Sequence, residues 1–166
     1  MKIIILILVH FFILPFSLFA QADSLQQQIN QQVWRPFIRS FNENDTETFQ
    51  SVHSKDLIRV IMDNHQLLGY EQYFKPVPDS IRSNRGKWKK SIELRFIQRM
   101  ASTDKGFEVG YYKVSNSDMA SGKRFISYGK FQVLLRKENG VWKILMDEDA
   151  KENTDESVFL TGKPND

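Results

Sequence analysis

The stretch Phe131-Gln-Val-Leu-Leu-Arg-Lys-Glu-Asn139-Gly140-Val-Trp-Lys-Ile-Leu-Met-Asp-Glu-Asp149 decides how this chain is read. Asn-Gly is the preferred dipeptide of a two-residue type I′ hairpin, because both central positions need positive φ. Runs with a period of two flank it, so the turn predicts two paired strands and fixes their register. Counting back from it pairs Leu135 with Ile144, Val133 with Met146 and Phe131 with Glu148. One face then carries Phe131, Val133, Leu135, Trp142, Ile144 and Met146, with Glu148 at its end. The other face pairs Leu134 with Leu145, Gln132 with Asp147 and Lys130 with Asp149. A slip of one residue exchanges the faces.

Upstream, the same alternation predicts further strands. Ile92, Leu94 and Phe96 alternate with Glu93, Arg95 and Ile97, and Phe107, Val109 and Tyr111 with Glu108, Gly110 and Tyr112. Together with Phe125–Arg136 and Val141–Asp149 they form a four-strand antiparallel meander. Before them the period is helical. Leu25, Ile29, Val33, Phe37 and Phe41 recur at every fourth position, an amphipathic helix that Pro36 should kink. Asp45 can cap a second short helix with Phe49 and Val52 inward. Leu57–Met62 reads as a strand that ends in the polar turn Asp63-Asn-His-Gln66, and Tyr70–Phe74 as a short helix that Pro76 and Pro78 interrupt. A further turn is expected over Asp79–Asn84. Helices first and strands last predict an α+β domain, its sheet curved over the long helix.

The first residues read differently. Lys2 is followed by an apolar run, Ile3–Leu14, and then by Leu18-Phe19-Ala20-Gln21-Ala22, the three-part pattern of a secretory signal. Residues 1–20 are expected to be the signal peptide, with cleavage after Ala20 or Ala22, and the product exported, periplasmic or secreted. The run is shorter than the ~20 apolar residues of a spanning helix, so no membrane association is expected after cleavage. Residues 23–150 then form one domain and residues 151–166 a polar tail, in which Val158-Phe-Leu160 is the one apolar patch. Terminal segments of this kind are usually loose.

With 23 basic and 20 acidic residues, the charge is nearly balanced at +3, and Arg82–Lys90 is the one basic run. That reads as a solvated loop, and nucleic acid is not an expected partner. The chain has no cysteine. This removes thiolate metal sites and thiol nucleophiles and leaves the core to packing.

The residues resemble the nuclear transport factor 2-like superfamily, in particular its exported SnoaL-like bacterial members. The resemblance rests on the long first helix ending at Phe41-Asn-Glu-Asn-Asp45 and on Ser51-Val-His-Ser-Lys-Asp-Leu-Ile-Arg-Val60. Gly69-Tyr-Glu-Gln-Tyr73 and the closing Tyr128-Gly-Lys-Phe … Asn139-Gly-Val-Trp-Lys-Ile144 complete it. It implies a cone-shaped α+β fold with N-terminal helices packed on a curved antiparallel sheet. A pocket lies between sheet and helices, and two copies often pair through the outer sheet face. Such proteins include isomerases, cyclases, dehydratases and binding modules, so fold alone does not give activity.

No catalytic signature stands out. His53 and His65 are not clustered with acids at metal-ligand spacing, so no metal and no cofactor is expected. His53-Ser54 is a sequence neighbourhood, not a nucleophile–base pair, and it reads as a polar turn. General acid–base chemistry has one candidate, Glu148, which the hairpin register puts on the apolar face, where burial would raise its pKa. Tyr111 or Tyr128 could supply a phenolic donor, and His53 or Asp56 could sit near the cone's mouth. Trp34, Tyr70, Tyr73, Trp88, Tyr112 and Trp142 are further pocket candidates, Tyr70 and Tyr73 at the rim beside the Pro76/Pro78 interruption. The reading that follows is an exported module, expected to be a homodimer, that binds a small apolar or amphipathic ligand or a protein partner. Its alternatives are a lyase or isomerase working through a carboxylate and an interaction module whose cone is filled by side chains.

Overall fold

The computed structural model describes residues 24–76, 87–151 and 153–165. The expected signal peptide with its cleavage sites, the expected turn over Asp79–Asn84 and most of the basic run lie outside the described residues.

The opening helix, α1, covers residues 24–43. Its apolar stripe packs onto the sheet, with Ile29, Val33 and Trp34 buried. The kink expected at Pro36 takes a specific form. Asn30–Trp34 is a π-helical turn, closed by the Arg35 N–H donating to the Asn30 carbonyl, and Pro36 lies in the first turn of the next α-helical segment, Arg35–Glu43. A proline is tolerated in a first turn because its missing N–H has no partner to lose. The wide turn places Asn30 on the buried side with Val33 and Trp34. Asn44, left-handed at φ 59°, ends α1. Asp45 then caps α2, Thr46–Ser51, its carboxylate accepting from the Thr48 N–H at 3.0 Å.

The strands are β1, His53–Ile61; β2, Gln66–Gly69; β3, Trp88–Ala101; β4, Lys105–Asp118; β5, Arg124–Glu138; β6, Val141–Ala150; and β7, Lys163–Pro164. Their order in one seven-stranded sheet is β2-β1-β6-β5-β4-β3-β7. The antiparallel meander β3 to β6 is as expected, and Asn139 and Gly140 take φ of 50° and 85° at its last turn. Two short helices complete the chain: α3, Tyr70–Tyr73, and α4, Glu156–Leu160. α1 is tied to the sheet by polar side chains as well as by packing. Asn42 Oδ1 accepts from the Ile92 N–H and Gln32 Oε1 from the Trp142 N–H, both at 2.9 Å.

Register holds near the hairpin and then changes. Leu135 pairs with Ile144, but Leu134 pairs with Met146, Val133 with Asp147 and Phe131 with Asp149. Leu145 is the extra residue of a β-bulge, which reverses the in–out alternation beyond it. Phe131, Val133, Leu135, Trp142 and Ile144 face α1 and are buried, as expected. Met146 and Glu148 do not join them. Asp147 and Asp149 take the inner positions, and Glu148 lies opposite Gln132 on the outer face. A second bulge, at Ile97 between Phe96 and Gln98, turns Arg99 inward opposite Glu108.

The tail is docked. Asp155 caps α4 through the Val158 N–H, and Phe159 is buried on the outer face between Arg95 and Tyr128. Arg95 donates to the Gly162 carbonyl at 3.0 Å, and β7 adds to the edge of β3. The segment 153–165 is thus a strap across part of the outer sheet face, an order that the sequence of the tail left open.

Candidate functional site

Between α1 and the inner sheet face lies an open cavity of about 350 Å³. Its walls follow from the elements just described. Trp34, Phe37 and Phe41 come from successive turns of α1, and Phe49 from α2. Inner-face residues of the meander form the floor: Ile92 and Leu94 of β3, Val114 of β4, Phe131 and Val133 of β5, and Ile144 of β6. Asn116 and Ser127 add polar atoms to the lining.

The rest of the lining is strongly polar and is gathered in one cluster of Arg59, Tyr73, Tyr112, Asp147, Asp149 and Lys151. Arg59 follows Leu57 on the inward side of β1, and β1 runs parallel to β6 with Arg59 beside Asp147. The bulge at Leu145 supplies the two carboxylates. Arg59 donates through one terminal nitrogen to the carbonyls of Val60 and Asp147, at 2.8 and 3.0 Å, and through the other to the Asp149 carboxylate. Tyr112 donates its hydroxyl to the second Asp149 oxygen at 3.1 Å. The Asp147 carboxylate meets Arg59 Nε at 3.6 Å, a charge contact longer than a hydrogen bond. Tyr112 reaches Asp149 because its cross-strand neighbour is Gly129. A Cβ there would sit 2.2 Å from Tyr112 Cζ.

Burial sets the proton affinities of the cluster. It pushes the Asp147 carboxyl above its ordinary value, against the pull of Arg59 and with a further push from Asp149. Burial also raises Tyr73, and the charge of Asp147 adds to it against Arg59. Tyr112 is raised by burial, by the Asp149 charge and by its hydrogen bond to that carboxylate. Burial opposes the Arg59 charge, but Asp147, Tyr73 and Asp149 outweigh it and keep the guanidinium protonated. The arrangement offers a buried acceptor, two neutral phenols and a fixed cation at one edge of an apolar chamber.

Of the residues singled out in the sequence, the structure brings Trp34 and Tyr73 into this lining. His53 lies behind it, its ring packed on Phe49 and Phe74. Its Nδ1–H donates to the Phe49 carbonyl at 2.7 Å and its Nε2 is buried without a partner among the described residues. Burial pushes His53 down to about 4. Tyr70 is buried under Lys55, which stands 3.9 Å over its ring. Tyr111 and Tyr128 alternate with Tyr112 and Gly129 and so face outward, Tyr128 against Phe159. Asp56 pairs with Arg136. Glu148 sits on the outer face near Gln132, outside the cavity. Tyr112, one of the aromatic pocket candidates, also lines it, whereas Asp147, Asp149 and Arg59 are the residues that the reading of the sequence missed. One signal pointed to them: Arg59 shares strand parity with Leu57, and an arginine on an apolar strand face needs a buried partner.

A second charged group lies deeper under α1. Glu108 is fully buried and accepts from Trp34 Nε1 and Gln26 Nε2, each at 2.5 Å, and from Arg99 Nε at 3.2 Å. Arg99 also donates to Asn30 Oδ1 at 2.5 Å and to Asn165 Oδ1 at 3.3 Å. This group joins helix, sheet and strap.

No family model matches the sequence, and no curated protein matches it. Solved structures do. A nuclear transport factor 2-like protein from Salmonella enterica serovar Typhimurium superposes with a TM-score of 0.61 at 13% identity, over 80% of this chain and 94% of that one. A nuclear transport factor 2-like protein with a cystatin-like fold from Novosphingobium aromaticivorans gives 0.61 at 12% identity, over 80% and 84%. A ketosteroid isomerase-like protein from Erwinia carotovora gives 0.55 at 14%, over 76% and 98%. The chain has the nuclear transport factor 2-like fold, an N-terminal helix against a curved, unclosed sheet.

Proposed function

We propose that the domain binds a small amphipathic molecule in the cavity between α1 and the sheet. The observation that carries this reading is the cavity's division: an aromatic and aliphatic chamber of about 350 Å³ with Arg59, Asp147, Asp149 and the two tyrosines gathered together. Ligand sites combine apolar walls with a few convergent polar groups in this way. The open space supports this reading over a cone filled by side chains. The test is fluorescence titration with Nile red, a neutral apolar dye, on wild type and on Val114→Trp, which narrows the chamber. Saturable binding that Val114→Trp abolishes, with the melting temperature kept, is the expected result. Binding that survives the substitution unchanged would place the dye elsewhere and remove the reading.

A second reading is acid–base catalysis by a lyase or isomerase, with Asp147 in place of Glu148. Its support is the raised proton affinity of a carboxyl that lines the cavity near Tyr73. The name of the Erwinia neighbour is in keeping with it. Asp147→Asn would then abolish turnover of an accepted substrate while leaving its binding within about tenfold.

Export to the periplasm or medium and pairing of two copies belong to the same proposal. The apolar run Ile3–Leu14 supports the first. Exposed Met100 and Leu134 on the sheet support the second, with α4 and Phe159 already occupying another part of its outer face.

A further inference from the structure

Charge around the polar cluster is unbalanced. Three carboxylates, Asp63, Asp147 and Asp149, face two cations, Arg59 and Lys151. Asp63 is exposed and stands beside the group, its carboxylate accepting from the Lys151 backbone N–H at 3.1 and 3.3 Å. Arg59 is largely committed within the protein. Its terminal nitrogens are taken by Val60, by the Asp147 carbonyl and by Asp149. Its Nε is buried without a hydrogen-bond partner among the described residues, with Asp147 Oδ2 at 3.6 Å. An anionic group entering here would face Asp147 and Asp149, with Lys151 as the lining cation able to pair with it. A cationic group would find in Asp147 an acceptor that lines the cavity and makes no hydrogen bond to Arg59 Nε.

The walls favour the same charge. The faces of aromatic rings are negative, and they attract ammonium and guanidinium groups more strongly when water is excluded. Cations already use two of these rings: Lys90 Nζ stands 4.2 Å over Phe41, and the Arg59 guanidinium 5.4 Å from the centre of Tyr73. Trp34, Phe37 and Phe131 offer further ring surface to a bound molecule.

We infer that the cavity selects an amphipathic cation, with an amine or quaternary ammonium head at Asp147 and Asp149 and an apolar body against Trp34 and Phe131. This rests on the reading of the cavity as a binding site and adds the ligand's class to it. The bound head brings the cluster to neutrality without removing any hydrogen bond that Arg59 and Tyr112 make to Asp149.

Isothermal titration with three probes of one shape tests it: phenethylammonium, phenethyl alcohol and hydrocinnamate. On the wild-type protein the ammonium should bind tightest, by about tenfold over the alcohol, with hydrocinnamate weakest. Asp147→Asn should bring the ammonium down to the level of the alcohol. Because the ranking is read on wild type, it does not depend on that variant folding. An alcohol or carboxylate that equals the ammonium overturns the charge selectivity while the cavity remains a binding site. If none of the three binds and Nile red does not bind either, the binding reading falls with it.

Discussion

Two charged clusters stand under the same helix, two inward positions apart on β4, and they differ in what they leave unused. Around Glu108 every partner is supplied by the chain: Trp34, Gln26 and Arg99 converge on one carboxylate with no exposure, and Asn30 and Asn165 complete the arginine. Around Asp147 the pairing is incomplete, with one arginine between two carboxylates and an open chamber in front. Trp34 touches both, its indole N–H on Glu108 and its ring in the cavity wall. Burial alone therefore does not mark a site. Glu108 is filled with donors from the chain and holds the helix down, although Gln26, Asn30 and Arg99 also line an open pocket beside it. A carboxylate with spare acceptor capacity facing a cavity can instead receive a ligand.

Substitutions can break this contrast. The largest effect is expected from Glu108→Gln, which strands the Arg99 charge and should cost about 3–5 kcal/mol in denaturant unfolding. Nile red affinity of the molecules that stay folded should not change. Next in size is a pH effect. His53 is held down to about 4 against an ordinary 6.5, so the unfolded chain takes up its proton first. Stability from this group is complete above pH 6.5, declines between 6.5 and about 4, and is flat below; the loss is on the order of 3 kcal/mol. Asp147 acts in the opposite sense. Its folded value is raised, so stability is lost as the pH climbs past the ordinary carboxylate range. His53→Asn should flatten the acid decline, and an unchanged slope in that variant would remove His53 as its cause.

Gly129→Ala sharpens the contrast at the open cluster. The new methyl overlaps the Tyr112 ring, so the expected cost is about 1–3 kcal/mol together with loss of the bond to Asp149. Thermal melting and Nile red titration should both move, unlike in Glu108→Gln, where only stability should. The smallest effect on stability is expected from Asp147→Asn, within about 1 kcal/mol, because a carboxyl held by one long contact contributes little net energy. A loss as large as that of Glu108→Gln would make Asp147 part of the scaffold.

The same contrast marks where the sequence stops being readable. Helix α1, the Asp45 cap, the meander and the Asn139-Gly140 turn are local patterns, and each appears in the structure where its pattern lies. The inner positions of β5 and the first half of β6 follow from counting outward from that turn. Counting by twos fails past Leu145, because a bulge inserts one residue and nothing in Lys143-Ile-Leu-Met-Asp147 announces it. That single residue exchanged Glu148 for Asp147 and Asp149 in the cavity. The bulge at Ile97 hid the partnership of Arg99 and Glu108 in the same way. β7 and the docking of Phe159 escaped for another reason: two strand residues and one apolar patch acquire meaning only when Arg95 and Tyr128 present a surface to receive them.

Each cluster contains one arginine, and this makes a direct test possible. In a proton–nitrogen NMR spectrum the side-chain Nε–H signals of Arg59 and Arg99 report on the two sites separately during titration with Nile red. The Arg59 signal should move in a saturable way while that of Arg99 stays within a small fraction of its shift. Movement of Arg99 with Arg59 unmoved would contradict the assignment of the open cluster as the site of binding.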